Sequence, residues 1–99
     1  MKTKAKAIII HPKDTVATAL EPLHIGVEIP VKSGDRTEKV RLVSEIPMGH
    51  KFALGDIDIG AAVIKYGEPI GQSKVKIVKG EHVHIHNVVS RPHTREGGQ

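Results

Sequence analysis

Three histidines alternate with two aliphatic residues near the end of the chain, and this pattern carries the clearest chemical signal in the sequence. On a β-strand, His82, His84 and His86 would share one face, while Val83 and Ile85 would face the core. Imidazole exchanges protons near neutral pH and is the commonest metal ligand in proteins. The pattern therefore indicates proton transfer or metal binding, with a solvated strand face rich in histidine as the alternative.

Strand spacing limits how these histidines could bind one ion. Adjacent residues on one face are about 6.6 Å apart and the outer pair about 13 Å. With metal–nitrogen bonds of about 2.1 Å, two neighbouring imidazoles can share an ion, but three cannot readily do so. We take His84 and His86 as catalytic candidates and candidate metal ligands, and expect both to lie deeper than His82.

A second candidate follows a glycine in the middle of the chain. His50 and Lys51 come directly after Gly49, where a turn could project a side chain toward a ligand. His50 is a catalytic candidate, and the Lys51 cation could hold a substrate carboxylate. The alternative is an exposed turn with two ordinary polar residues.

Further candidate binding residues come later in the chain. Lys65 and Tyr66 precede a loop with Gly67 and Gly71, and either side chain could contact substrate. The alternative for Tyr66 is the bulk of a small core. Asn87, at the end of the histidine pattern, completes the predicted substrate-binding set. By contrast, a single histidine after the first predicted strand, His11, is expected to be structural.

The apolar composition indicates which elements carry these residues. The 99 residues include 12 Ile and 11 Val against 4 Leu, 1 Phe, 1 Tyr and no Trp. β-Branched side chains suit pleated sheets, so a mostly β fold is predicted. Four copies of an aliphatic-x-x-Gly-x-x-apolar pattern predict four tight turns that each lead into a strand. Their glycines are Gly26, Gly49, Gly60 and Gly80.

The remaining elements are assigned from local signals. Residues 6–10 predict a first strand, and Asp14 predicts the N-cap of a short helix over Thr15 to Leu20. Polar residues 33–37 predict the tip of a hairpin between strands 27–32 and 38–43. One domain is expected over residues 1–90, followed by a disordered tail over 91–99 that has no aliphatic residue.

Composition also limits the partners. The net charge is +4, but neither chain end has the aromatic residues that stack bases, so nucleic-acid binding is not expected. The apolar runs are too short to cross a membrane. Zero cysteines exclude thiolate metal sites and disulfides and favour the cytoplasm. The positive charge suits an anionic small molecule.

Taken together in their order, four motifs resemble the SAF domain of altronate dehydratase and the small subunit of (R)-sulfolactate sulfo-lyase. The resemblance extends over residues 6–89. The motifs are His11-Pro12-Lys13-Asp14-Thr15-Val16-Ala17-Thr18-Ala19-Leu20, Ile46-Pro47-Met48-Gly49-His50-Lys51-Phe52-Ala53-Leu54, Val63-Ile64-Lys65-Tyr66-Gly67-Glu68-Pro69-Ile70-Gly71 and Gly80-Glu81-His82-Val83-His84-Ile85-His86-Asn87. Thr15 departs from the Asn of many relatives.

The resemblance implies a SAF-type β-clip fold with short helical turns. It also implies a small subunit, or N-terminal domain, of a lyase that eliminates water or sulfite from a sugar acid or sulfolactate. Such a lyase often uses a divalent metal, with Fe(II) expected. A large subunit would complete the active site, so this chain alone is expected to be inactive. The alternative is a non-catalytic SAF-type module that binds a sugar or an anionic ligand.

Overall fold

The computed structural model describes residues 5–33 and 36–90, and these residues form nine short β-strands. In chain order the strands are β1 (Ala7–Ile8), β2 (Val16–Ala19), β3 (Glu28–Ser33), β4 (Arg36–Arg41), β5 (Lys51–Ala53), β6 (Ala62–Lys65), β7 (Glu68–Ser73), β8 (His82–Val83) and β9 (Val88–Ser90). The mostly β prediction is confirmed, because no helix occurs in this described part of the chain. One turn with helical hydrogen bonding is present, where the carbonyl of His84 accepts the N–H groups of Asn87 and Val88.

A central antiparallel sheet organises the fold. Its strand order is β1-β2-β5-β8, and it is flanked by the hairpin β3–β4 and by a sheet of order β6-β7-β9. Strand β5 contributes to both hydrophobic cores, because Phe52 packs into one and Ala53 into the other. The first core includes Ile29 and Val40 of the hairpin β3–β4, and both side chains are fully buried. The second core includes Val63 of β6, which is also fully buried.

The four predicted glycine turns are confirmed. Gly26, Gly49, Gly60 and Gly80 all have positive φ, from 83° to 90°, which side chains other than glycine rarely adopt. In each turn the residue after the glycine donates its N–H to the carbonyl three residues earlier. The aliphatic residues that open the turns pair across the chain, as Leu23 does with Ile46 and Ile57 with Ile77.

The predicted hairpin is confirmed, with small shifts at its ends. Strands β3 and β4 pair antiparallel from Glu28↔Arg41 to Ser33↔Arg36. The first strand is shorter than predicted, because only Ala7–Ile8 pairs with β2. The predicted tail, residues 91–99, lies outside the described residues.

The helix predicted over residues 15–20 is wrong, since Val16–Ala19 is strand β2. Strand β2 lies between β1 and β5, and its two faces are buried in different cores: Val16 packs in the second and Ala17 in the first. An extended strand places alternate side chains on opposite faces, so Val16 and Ala17 can be buried in different cores. The helical prediction rested on one local capping signal. Asp14 instead caps a turn, accepting the backbone N–H of His11 at 3.1 Å.

The histidine strand is also shorter than predicted. Strand β8 ends at Val83, and residues 84–87 form a turn before β9. Val83 is fully buried as predicted, but Ile85, predicted to face the core, is 78% exposed. The described residues contain no helix with the length and hydropathy needed to span a membrane.

Candidate active site

The pairing of β5 with β8 brings distant histidines together. In this ladder Phe52 lies opposite His82 and Lys51 opposite Val83. Continuing the register by one residue places His50 opposite His84. Because each of these two strands follows a glycine turn, the turns at Gly49 and Gly80 set where the histidine-bearing segments begin.

Three imidazoles form a compact cluster, which we call the histidine triad: His50, His82 and His84. Nδ1 of His50 lies 2.9 Å from Nε2 of His82, and the rings of His50 and His84 stack with centroids 4.0 Å apart. One ring nitrogen from each residue lies within 4.8 Å of the other two. Among the described residues this is the group of His, Cys, Asp and Glu side chains with the geometry of a metal site.

Asn87 holds the turn that positions His84. Its Oδ1 accepts the backbone N–H of His84 at 2.9 Å, and its Nδ2 donates to the carbonyl of His82 at 2.8 Å. The side chain is only 2% exposed, so both polar ends are used inside the protein. Asn87, predicted to bind substrate, therefore supports the triad from within.

The order of burial within the histidine pattern differs from the prediction. His82 and His84 are half-buried, whereas His86 is exposed. The expectation that His84 and His86 lie deeper than His82 is therefore wrong for His86, because the chain turns after Val83 and the alternation ends. The His86 ring lies 5.1 Å from that of His82, tilted by 33°, and stays outside the triad.

Burial and neighbouring charges lower the pKa of two of the triad histidines. Removal from water, followed by the nearby charges of His86, His50, His84 and Lys51, lowers the pKa of His82 to about 4. Desolvation, followed by the charges of His50, Lys51 and His86, also lowers the pKa of His84. Neutral imidazole is the form that binds metal ions, so these two side chains are prepared for coordination.

Lys51 and the triad member His84 both line a small cavity. The cavity has a volume of about 220 Å³, and Lys51, His84 and Ser90 supply its polar lining among aliphatic side chains. Burial, and then the charge of Lys65, lowers the pKa of Lys51. A half-buried cation beside a cavity is suited to holding an anionic group.

Lys65 and Tyr66 lie at the end of the β6–β7 hairpin. Tyr66 is 52% exposed, so its predicted alternative as core bulk is wrong. Its ring instead lies under the Lys65 ammonium, with Nζ 4.7 Å from the ring centroid. Lys51 and His84 line the same cavity, and the charge of Lys65 is the second cause of the lowered Lys51 pKa.

His82 is the triad member that the sequence alone did not single out. Its position follows from a pairing between segments 32 residues apart, which no local pattern reveals. The alternation in residues 82–86 placed His82 on one face with His84, but it gave no signal for the pairing with His50. His11 is structural as expected, with Nδ1 accepting the N–H of Lys13 at 3.0 Å.

The match to a known family covers every residue that the structure describes. The family model described as the altronate/galactarate dehydratase SAF domain matches residues 5–91. The match includes all three triad histidines and both candidate lysines. It extends one residue beyond the domain end predicted at residue 90.

Individual relatives fall into two kinds. The chain is 49% identical over 80 residues to altronate dehydratase of Escherichia coli (strain K12), covering 81% of this chain and 15% of that protein. It is 43% identical over 61 residues to (2R)-sulfolactate sulfo-lyase subunit alpha of Chromohalobacter salexigens, covering 62% of this chain and 65% of that subunit. Its identity to the same-named subunit of Paracoccus pantotrophus is 40% over 57 residues, covering 58% of this chain and 85% of that subunit.

Proposed function

Because the chain belongs to the altronate/galactarate dehydratase SAF-domain family, we propose that it is the small part of a lyase that acts on a hydroxy acid. The observation that carries the proposal is the histidine triad, in which side chains from two distant motifs lie within 4.8 Å. The reaction is a β-elimination that releases water or sulfite from a sugar acid or sulfolactate. Relatives of this chain are named altronate dehydratase and (2R)-sulfolactate sulfo-lyase subunit alpha.

The elimination has two chemical requirements. A base must remove the proton on the carbon next to the carboxylate, and a group must leave from the following carbon. Negative charge builds on the carboxylate as the proton is removed, so a cation must stabilise it. Hydroxide leaves poorly unless it is protonated, so an acid must also be available.

The triad provides a donor set that fits a divalent metal. His50, His82 and His84 would hold the ion, since three neutral imidazoles suit Fe(II) and other first-row divalent metals. The bound metal would supply Lewis acidity toward substrate oxygen. This set replaces the predicted His84–His86 pair, because His86 lies outside the cluster.

The residues around the triad have separate roles in this proposal. Lys51 binds the substrate carboxylate from the cavity wall. His86 is exposed beside His82 and transfers the proton as the general acid or base. His50 and His84, predicted as catalytic, act as ligands, and Asn87 keeps His84 in place.

A larger partner completes the site. The relatives named as sulfo-lyase subunit alpha belong by name to a multi-subunit enzyme, and the altronate dehydratase match covers 15% of that protein. The cavity of about 220 Å³ has the exposed residues Ile85 and Ser90 in its wall, so this chain alone does not exclude water around a bound acid. We therefore expect the chain to be inactive alone, to act with a large lyase subunit or domain, and to do so in the cytoplasm.

Metal binding by the purified chain tests the triad directly. We expect anaerobic Fe(II), or Co(II) as a spectroscopic substitute, to bind with one ion per chain. His50→Ala, His82→Ala and His84→Ala should each weaken binding beyond the ten- to hundredfold typical of losing an outer-sphere partner. His24→Ala is the matched control, since His24 is exposed and hydrogen-bonded to Glu45. Equal affinity in the triad variants and the control would refute the metal site.

Activity tests the lyase assignment itself. The chain should be mixed with a large lyase subunit of this family and assayed with altronate, galactarate and sulfolactate. Elimination should require both components. Robust turnover by the chain alone would overturn the two-component proposal, and a mixture without turnover on any hydroxy acid would favour the binding-module alternative.

A further inference from the structure

One end of the central sheet presents exposed apolar side chains. Its neighbouring strands are antiparallel, so the start of β1, the end of β2, the start of β5 and the end of β8 lie together. The segments beyond this end contain Leu20, Met48 and Ile85, which are 46%, 66% and 78% exposed. We call this region the triad end and define it by Leu20, Met48, His50, His84 and Ile85.

Backbone hydrogen bonds join the β2 and β5 sides of the triad end. The N–H of Gly49 donates to the carbonyl of Ala19 at 2.9 Å, and the N–H of Ala19 donates to the carbonyl of His50 at 2.8 Å. Leu20 directly follows Ala19. Met48 directly precedes Gly49, so the two exposed apolar residues belong to adjacent segments. Both segments lie beside a histidine of the triad.

The β8 side of the triad end adds an open cavity. Ile85 lines this cavity together with the polar residues Lys51, His84 and Ser90. The His84 ring stacks on the His50 ring with centroids 4.0 Å apart, which connects the cavity to the β5 side. Exposed apolar side chains grouped around polar ones in this way are typical of a surface that binds another protein.

Both termini of the described chain also lie at the triad end. The carbonyl of Lys6, just before β1, accepts the N–H of Leu20 at 2.9 Å. At the other terminus, Ser90 lines the cavity with Lys51. The family match extends over residues 5–91, and the match to altronate dehydratase of E. coli covers 15% of that protein. Most of that longer protein is therefore joined to this domain beside the triad end, whichever terminus it continues from.

We propose that the triad end is the docking surface for the large lyase subunit or domain. Met48 and Ile85 pack into an apolar surface of that partner, and Leu20 extends the contact toward β1. The bound partner closes the open side of the cavity and excludes water around His50 and His84. This inference rests on the proposed function for the identity of the partner. It adds which surface of the chain binds the partner and which side chains make the contact.

A second copy of this chain fits the triad end less well. A two-fold contact uses the same surface on both copies, so it would bring two Lys51 ammonium groups toward each other. Like charges that face each other across an interface weaken it. Such a contact would also fill the cavity beside His84 with protein and leave no access for a substrate.

Binding of a large lyase subunit of this family is the first test, with the dissociation constant measured by isothermal titration calorimetry. Met48→Lys and Ile85→Lys each place a charge in the apolar contact, and we expect each to weaken binding at least about tenfold. Ile10→Lys is the matched control, because Ile10 is an exposed apolar residue beyond the other end of β1. Unchanged affinity in both triad-end variants, or an equal loss in the control, would overturn the docking surface. No binding by the wild-type chain would overturn the two-component function as well.

Amide hydrogen exchange locates the contact without any substitution. With the large subunit bound, we expect the amides of residues 48–50 and 84–86 to exchange at least about tenfold more slowly. The amides of residues 10–14, at the other end of the sheet, should exchange at the same rate as in the free chain. Slowing at residues 10–14 with no change at the triad end would overturn the inference.

Sedimentation of the chain alone tests the second copy as the occupant. We expect a monomer, because the surface is used for the large subunit. A dimer that Met48→Lys and Ile85→Lys dissociate, with their affinity for the large subunit unchanged, would assign the surface to self-association and overturn the proposal. Docking through the triad end without turnover of any hydroxy acid by the assembled wild-type protein would refute the lyase function and support the docking surface.

Discussion

Two of the four glycine turns lead into hairpins, whereas the other two lead into the central sheet. The turns that open at Leu23 and Ile57 lead into β3 and β6. Those that open at Ile46 and Ile77 lead into β5 and β8. Each bridge joins one turn of each kind, so the molecule repeats the same arrangement twice around the shared strand β5.

The comparison shows that the turn itself carries no chemistry. All four turns have the same hydrogen bond and nearly the same glycine φ. The hairpin-directed turns deliver exposed residues such as Val27 and Ala62, whereas the sheet-directed turns deliver His50 and His82 to neighbouring strands. The candidate active site therefore depends on the pairing of β5 with β8, the two strands that the sheet-directed turns lead into.

The largest expected effect distinguishes two turns that share a backbone conformation. A Cβ at Gly80 would lie 2.1 Å from the carbonyl oxygen of Arg41, whereas at Gly26 it would meet nothing within 4 Å. We expect Gly80→Ala to reduce the free energy of unfolding by about 3 kcal/mol or more, from strain plus overpacking. Gly26→Ala should cost about 1 to 2 kcal/mol from strain alone. Urea denaturation measures both, and equal losses would contradict the difference.

The next effect concerns the histidines near the pairing of β5 with β8. His84→Ala and His86→Ala should each reduce turnover of the reconstituted lyase about a hundredfold or more, because the proposed function makes His84 a metal ligand and His86 the proton-transfer group. Both variants should fold normally, since neither side chain lies in a hydrophobic core. Turnover with the large subunit present is the measurement. Full activity in both variants would mean that these two histidines belong to a solvated surface and have no role in turnover.

A smaller effect tests where β8 ends. Val83 is fully buried and Ile85 is 78% exposed. Val83→Ala should lower the free energy of unfolding by about 1 to 3 kcal/mol as a core truncation. Ile85→Ala should change it by less than about 0.5 kcal/mol. Thermal or urea unfolding of the isolated chain measures both, and similar losses would mean that the alternation continues past Val83.

The smallest effect is a pH dependence of the metal-free chain. The pKa of His82 is about 4 in the folded chain, below the ordinary histidine value of 6.5. Between these values the unfolded chain binds a proton that folded His82 does not, so stability falls as the pH is lowered through this window. Solvent screening limits the loss to the order of 1 kcal/mol. The measurement is the free energy of unfolding as a function of pH. His82→Gln should make it less dependent on pH between about 4 and 6.5. An unchanged slope in this variant would contradict the lowered pKa.

The sequence predicted those features that depend on local chemistry. Positive φ at Gly26 and Gly80 follows from what glycine permits, and the β3–β4 hairpin from the polar residues between two aliphatic runs. The burial of Val83 was predicted because it lies within the two residues that do form strand β8. In each case one short segment contains the whole explanation.

The features that escaped prediction depend on contacts between distant segments. Strand β2 replaced the predicted helix because Val16 and Ala17 are buried in two different cores, which outweighs the capping signal at Asp14. The histidine strand ended early because Asn87 closes a turn through the backbone of His82 and His84. The triad itself required the register between β5 and β8.

The position of Phe52 and Ala53 on opposite faces of β5 has a consequence for folding. Because one three-residue strand is a wall of both hydrophobic cores, loss of either core exposes a side of the other. We expect the two halves to melt as a single cooperative unit, with the β5 amides exchanging with solvent only through global unfolding. The candidate active site should then be lost only when the whole domain unfolds, since His50 directly precedes strand β5.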